Sequence, residues 1–302
     1  MSSIGHAVFH RARDFELTTA NPAVGLRFRK LDQNDYRTRA KKPDGLDHGR
    51  APTNDEVRHL MTALIADHRA GRQVGPRTRS SKGGRFSNPQ DIADLSWLLF
   101  SVGCRVGEAL ALRWCDVNLT DSPAAVQVLR PSWDTRQPET ATVTIPPDHL
   151  SINATLTSII KQGLLRGMTK SPAGCRVVPL SPSAVAMLAA RAEAFDMPWR
   201  TQPELPIFGA LTGPAKFRDP TNVMNAIRFL YSEHGSTWFH SHGARKSVTT
   251  KLHRTGYDDN RIMRYMGWNN PATLQRYLDR EQDLPEEMGN ALDLGALPAI
   301  SR

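Results

Sequence analysis

Apolar positions fall at helical spacing toward both ends of this chain and in alternating or β-branched runs only in its middle. Ile4, Val8, Phe9, Ala12 and Phe15 predict a helix over residues 2–18, which Asn21-Pro22 stops. Residues 25–50 turn polar and basic around Lys41-Lys42-Pro43-Asp44-Gly45 and read as a linker. The next helix is expected to open at Thr53-Asn54-Asp55-Glu56, a capping box, with Val57, Leu60, Met61 and Leu64 on its buried face. A loop rich in Arg, Gly and Ser follows from Arg69 to Arg85. Asn88-Pro89 then supplies a cap and a first helical position ahead of Ile92, Leu95, Leu99 and Val102. Gly103 breaks that helix, and another is expected from roughly Gly107 to Arg113 with Leu110 and Leu112 buried. Arg105 stands in the turn between the two.

Residues 117–180 change character. Val126-Gln127-Val128-Leu129 and Ala141-Thr142-Val143-Thr144-Ile145 alternate or run β-branched, as strands do. Ile159-Ile160-Lys161 and Arg176-Val177-Val178-Pro179-Leu180 read as further strands, with Lys170 to Gly174 a turn between them. Helical pattern returns from Ala184 to Phe195, from Asn222 to Glu233, and in three short segments after that. The expected fold class is mainly α with a small inserted antiparallel β-sheet (α+β). No internal repeat or low-complexity run interrupts it.

Composition narrows the partners. Among 302 residues, 39 Lys and Arg against 30 Asp and Glu leave a net charge of +9. That balance favours a polyanion, nucleic acid first and an anionic membrane surface second, although a protein with merely solvated charges has the same balance. The three cysteines, Cys104, Cys115 and Cys175, have neither disulfide-framework nor zinc-knuckle spacing. The start, Met1 to His6, lacks a charged segment followed by an apolar run. The greasiest stretch, Ile92 to Gly103, is shorter than the ~18 residues of a spanning helix and contains Asp94. A reduced, cytoplasmic protein without a membrane partner is expected.

The last quarter carries the chemistry. His242-Gly243-Ala244-Arg245-Lys246, Met266-Gly267-Trp268 and Gln275-Arg276-Tyr277 place a basic pair, an indole donor and a phenol in fixed order on short helices. Breaking a phosphodiester without a metal requires neutralising non-bridging oxygens whose charge grows in the transition state. Arginines such as Arg105 and Arg245 suit this, because they hold their protons and bind oxyanions through two donors at once. Residue by residue, duller readings stand beside this one. Tyr277, between Leu274 and Leu278, fits a core tyrosine, Trp268 fits packing, and Lys170 fits a solvated turn. His242 lies near His240 and His234, but the Cys and carboxylate partners of a zinc site are missing at the needed spacing.

Taken together, these boxes resemble the catalytic domain of the tyrosine recombinases, the family of phage integrases. Gly103-Cys104-Arg105-Val106-Gly107-Glu108 is similar to the family's arginine turn, with cysteine where leucine is usual. Lys170 ahead of Arg176 to Leu180 matches its lysine on a β-hairpin before an R-x-V-P-L strand. His242 to Ser247 resembles its H-x-L-R box with Ala244 in place of leucine, and Met266-Gly267-Trp268 its L-G-[HW] box. Tyr277 follows nine residues later. The likeness covers roughly residues 50–285.

The resemblance implies a site-specific recombinase that cleaves and rejoins double-stranded DNA through a 3′-phosphotyrosine, with no metal, ATP or other cofactor. Tyr277 would be the nucleophile, Arg105 and Arg245 the phosphate clamp, and Lys170 the proton donor to the departing 5′ oxygen. His242 would accept a proton or hydrogen-bond the phosphate, and Trp268 can only donate, so its part is positional. DNA contacts are expected from Lys41, Lys42, Arg77, Arg79, Lys82, Arg85 and Lys246. The expected partners are a homotetramer on paired sites and accessory directionality or bending factors. The expected division is 1–24, a remnant of the last helix of a core-binding domain, then 25–50, a basic linker, then 51–285, the catalytic domain, and 286–302, a tail. The family's separate DNA clamp is represented only by that remnant. A non-catalytic DNA-binding relic or regulator of recombination sites therefore stands as the alternative function.

Overall fold

The computed structural model describes residues 51–71, 89–159, 163–194, 201–210, 213–236 and 241–275. The helix expected over 2–18, the linker, the Arg-rich loop from residue 72 onward and the tail 286–302 lie outside them. Helix α1 (Asn54–Arg69) opens on the expected capping box: the Thr53 hydroxyl accepts from the Glu56 amide at 3.2 Å, and the Glu56 carboxylate accepts from the Thr53 amide at 2.8 Å. Leu60, Met61 and Leu64 are buried against α2 (Pro89–Val102), which buries Ile92, Leu95, Leu99 and Val102 in turn. Each fully buried aliphatic side chain contributes about 1.5–3 kcal/mol, so these two stripes alone can hold the pair together.

Asp91 and Asp94 are buried on α2 as well, which a hydrophobic pattern does not anticipate. Arg191 of α4 (Pro182–Ala194) answers both, at 2.8 and 2.9 Å, and Arg218 adds a bond to Asp91 at 3.2 Å. After Gly103 comes α3 (Val106–Leu110), shorter than its pattern predicts. The chain then tightens into a 3₁₀ turn, Trp114–Asp116, with Leu110, Leu112 and Trp114 buried.

The inserted sheet has three antiparallel strands in the order β1 (Val117–Asn118), β4 (His149–Ile152), β7 (Arg176–Pro179). Each of its connections is expanded into a hairpin. Between β1 and β4 lie β2 (Ala124–Pro131) and β3 (Pro138–Ile145), and between β4 and β7 lie β5 (Ala154–Ile159) and β6 (Gly163–Met168). Of the strand expected at Ile159-Ile160-Lys161, Ile159 is the last residue of β5 and the other two lie outside the described residues. Two strands, β5 and β6, flank that position. The Ile-Ile pair looked like a strand centre, whereas Ile159 is 39% exposed at a hairpin end. A short β8 (Gly209–Ala210) and β9 (Gly213–Phe217) precede α5 (Pro220–Glu233), capped by Asp219.

One apolar core joins α1 to α5 with β1, β4, β5 and β7. A second, Val126, Val128 and Ile145, lies in the β2–β3 hairpin, and a third, Val248, Ile262, Met266, Trp268 and Leu274, gathers the closing helices. Those are α6 (Ser241–Arg254), α7 (Asp259–Met266) and the start of α8 (Pro271–Gln275). The mainly helical α+β architecture is therefore as expected. Among the described residues no helix is long and apolar enough to cross a membrane.

A buried carboxylate ties the 3₁₀ turn to the second hairpin. Asp116, fully buried, accepts from Arg113 (2.9 Å to its amide), Arg166 of β6 (3.0 Å) and Asn153 (2.7 Å). Asp116→Asn keeps the shape but strands two guanidiniums, so a loss of about 3–5 kcal/mol is expected. In a thermal melt that is a fall of roughly 10 °C for a domain of this size. A loss below about 1 kcal/mol would mean that Glu204, the other partner of Arg113, suffices.

Candidate active site

Arg105 reaches its place because Gly103 takes a left-handed turn (φ 69°) at the end of α2. A Cβ there would stand 3.0 Å from Met266 and 3.1 Å from Val248, so the turn also needs glycine for room. Arg105 is the residue before α3, and its amide and guanidinium donate to Glu108 one turn on, at 3.1 and 2.5 Å. Half of its side chain (51%) stays exposed.

Arg245 lies on α6 and is buried. Its guanidinium donates to the Gly103 carbonyl at 2.7 Å and to the Met266 carbonyl at 2.9 Å, and it stands 3.9 Å from Glu108. Trp268, buried, presents its ring 5.3 Å from the Arg245 guanidinium carbon, within cation–π range. Three sequence boxes that are far apart in the chain thus meet on one arginine.

Glu108 is the centre of this cluster, and it was read from sequence as part of a motif rather than as a site residue. It is buried, which alone would raise its pKa. Arg176, Arg105 and Arg245 overcome that burial and hold its carboxyl below the usual range. Its signal in the sequence was its place three residues after Arg105, the N3 position of a cap. Cys104, at the heart of the same turn, is fully buried, and burial together with Glu108 pushes its thiol up to about 12, so it packs and does not react.

His242 heads α6 with more than a third of its surface exposed. Partial desolvation, then the charges of Arg245 and Arg105, hold its imidazole below the ordinary 6.5. It is neutral at neutral pH and able to take a proton. His234, by contrast, pairs with Asp67 at 2.8 Å. Lys170 is exposed, and the turn expected between two strands is present, but the strands on either side of it do not pair with each other as a hairpin would. Strand β6 pairs with β5 and β7 with β4, so the lysine stands on a connection between two sheets, just before the 3₁₀ turn Pro172–Gly174. Lys246, on α6, is half-buried. Tyr277 lies outside the described residues, as do Lys41, Lys42, Arg77, Arg79, Lys82 and Arg85.

Arg105, Arg245, His242 and Trp268 therefore converge as two fixed cations, a neutral imidazole and an aromatic floor. The sequence profile of the phage integrase family matches residues 85–283. The chain belongs to the phage integrase family. Its integrase fold, the tyrosine recombinase catalytic domain, is shared with the Tn1549 transposon integrase in complex with transposon right end DNA. That likeness has a TM-score of 0.56 at 11% identity and covers 95% of this chain and 74% of that one. The same integrase in complex with circular intermediate DNA gives a TM-score of 0.55 at 12% identity, over 95% and 75%. No curated protein matches this integrase-family chain in sequence.

Proposed function

We propose that this chain is a site-specific DNA recombinase that cuts and rejoins duplex DNA through a 3′-phosphotyrosine, with Tyr277 as nucleophile. The observation that carries the reading is the set of guanidiniums from separate segments ordered on the one buried carboxylate of Glu108 beside a neutral histidine. Such an array is preorganised for the charge that grows on a phosphodiester under attack. Arg105, half exposed, is placed to fork onto the phosphate, with the Arg245 charge beneath it.

In the step proposed, the Tyr277 oxygen bonds to phosphorus and its proton passes to His242. The bond from phosphorus to the 5′ oxygen breaks, and Lys170 gives that oxygen a proton. The phosphotyrosine conserves the bond for religation, so neither ATP nor a metal is called for. Four such chains on two paired duplexes would exchange strands.

The test is covalent capture. A randomised library of nicked duplexes is incubated with the full chain in excess EDTA, and protein–DNA adducts are isolated and sequenced. Enrichment of one core sequence, attached through its 3′ end, is expected. DNA binding without any adduct would instead identify a non-catalytic occupant of recombination sites. On the recovered duplex, the rate of cleavage should hold its plateau through pH 7 and fall only at lower pH. The acid midpoint should lie below the ordinary imidazole value of 6.5, because desolvation and the neighbouring cations disfavour the protonated form. A midpoint at or above that value would remove His242 from the proton's path.

A further inference from the structure

Arg176 opens strand β7 and is buried, and each of its guanidinium nitrogens is committed to a different segment. Its Nε donates to the Tyr265 carbonyl at 2.8 Å, near the end of α7 and three residues before Trp268. One terminal nitrogen donates to the Gly174 carbonyl at 2.9 Å, and the other to Glu108 at 3.2 Å. Gly267, left-handed at φ 71°, lies flat against it, and a Cβ there would stand 2.9 Å from the nearer terminal nitrogen.

The Gly174 contact concerns Lys170. The lysine's connection is closed on itself: Thr169 donates to the Ser171 carbonyl at 2.9 Å, and the amides of Gly174 and Cys175 turn back onto Ser171 and Pro172. Gly174 also abuts Thr169, since a Cβ on it would come within 2.7 Å of the threonine Cβ. The turn is thus closed by its own bonds, and although Met168 and Arg176 at its ends pair with Ala154 and Ile152, no strand pairing reaches the residues between them. A planar guanidinium has donors at fixed angles, so it fixes the segments it joins relative to one another.

We propose that Arg176 is a positioning residue that aims the Lys170 turn at the Arg105–Glu108–Arg245 cluster, acting through Gly174 and Glu108 without touching DNA. This rests on the reading of Lys170 as the proton donor to the 5′ oxygen.

The experiment measures single-turnover cleavage by the full chain on the captured duplex, with either oxygen or sulfur bridging phosphorus to the 5′ carbon. A thiolate departs without a proton, so loss of the acid is silent on the sulfur substrate. Arg176→Gln should cleave the oxygen substrate roughly a hundredfold slower, the size of a lost general acid. It should recover to near the parent rate on the sulfur substrate. Lys170→Ala should behave alike, and the double variant should be no slower than Lys170→Ala alone. Arg105→Ala should be slow on both substrates. Arg176→Lys, which keeps the charge but not the fork, should reproduce the glutamine result, and it stands in if that variant does not fold. Equal slowing on both substrates in a folded Arg176 variant, or no slowing at all, would overturn the proposal while leaving Lys170 as the donor. A Lys170→Ala variant that cuts the oxygen substrate at the parent rate would overturn both.

Discussion

Replacing Tyr277 by phenylalanine is expected to abolish the covalent protein–DNA adduct while leaving DNA affinity within about twofold of the parent. The asymmetry follows from what each property draws on. Affinity for a duplex is dominated by phosphate contacts and counterion release, spread over many cations in a chain of net charge +9, so one hydroxyl contributes little to it. The proposed adduct is a single bond made by that hydroxyl, and among the described residues the Arg105–Glu108–Arg245 cluster offers no substitute. The Cys104 thiol is buried and pushed up to about 12, and Tyr265, partly buried, is likewise pushed up to about 12 by its loss of solvation. Denaturing gels on the captured duplex, read beside a filter-binding titration, measure both. An adduct of undiminished yield in Tyr277→Phe would sink the nucleophile.

The second large effect separates the two arginines. Arg105→Ala should cost a cleavage rate factor of at least roughly a hundred, the loss expected when one preorganised donor to a developing oxyanion is removed. Its melting temperature should stay within about 2 °C of the parent, because the arginine removed is half exposed and Arg176 and Arg245 still face the buried Glu108. Arg245→Ala should lose the rate and the fold's margin together. It removes a buried cation that holds the carbonyls of Gly103 and Met266 and offsets the Glu108 charge. A destabilisation of about 3–5 kcal/mol is expected, read as a fall of roughly 10 °C in a thermal melt. Equal melting temperatures for the two variants would contradict this division.

The helices around the site were legible because their signals are local. The Thr53 box, the Pro89 start and the stripe from Ile92 to Val102 each sit within one or two turns of chain, and each is where the pattern placed it. The second hairpin was missed for an opposite reason. Neither of its strands alternates cleanly, since Leu164 and Leu165 are adjacent, and the apolar Ile159-Ile160 pair is the stronger local signal.

Motif order and spacing were enough to name Arg105, Arg245, His242 and Trp268, which the fold brings together. They could not reveal that Glu108 and Arg176 join those boxes. A carboxylate three residues after an arginine and an arginine opening a strand are common in any basic chain. Only the closure of β7 and α7 onto the Gly103 turn makes them neighbours. The same holds for Asp91 and Asp94, whose partners Arg191 and Arg218 lie far along the chain.

The bonds of Arg245 to Gly103 and Met266 bear on how such an enzyme would decay. In a lineage that ceased to cut DNA, selection for a folded, DNA-occupying protein would go on preserving Arg245, since the site's two halves are stitched through it. Arg105 would be released sooner, because among the described residues its guanidinium bonds to Glu108 alone and half of the side chain is exposed. Disuse would therefore be written at the exposed arginine before the buried one, and of these two positions in descendants of this chain, 105 reports whether cutting still matters.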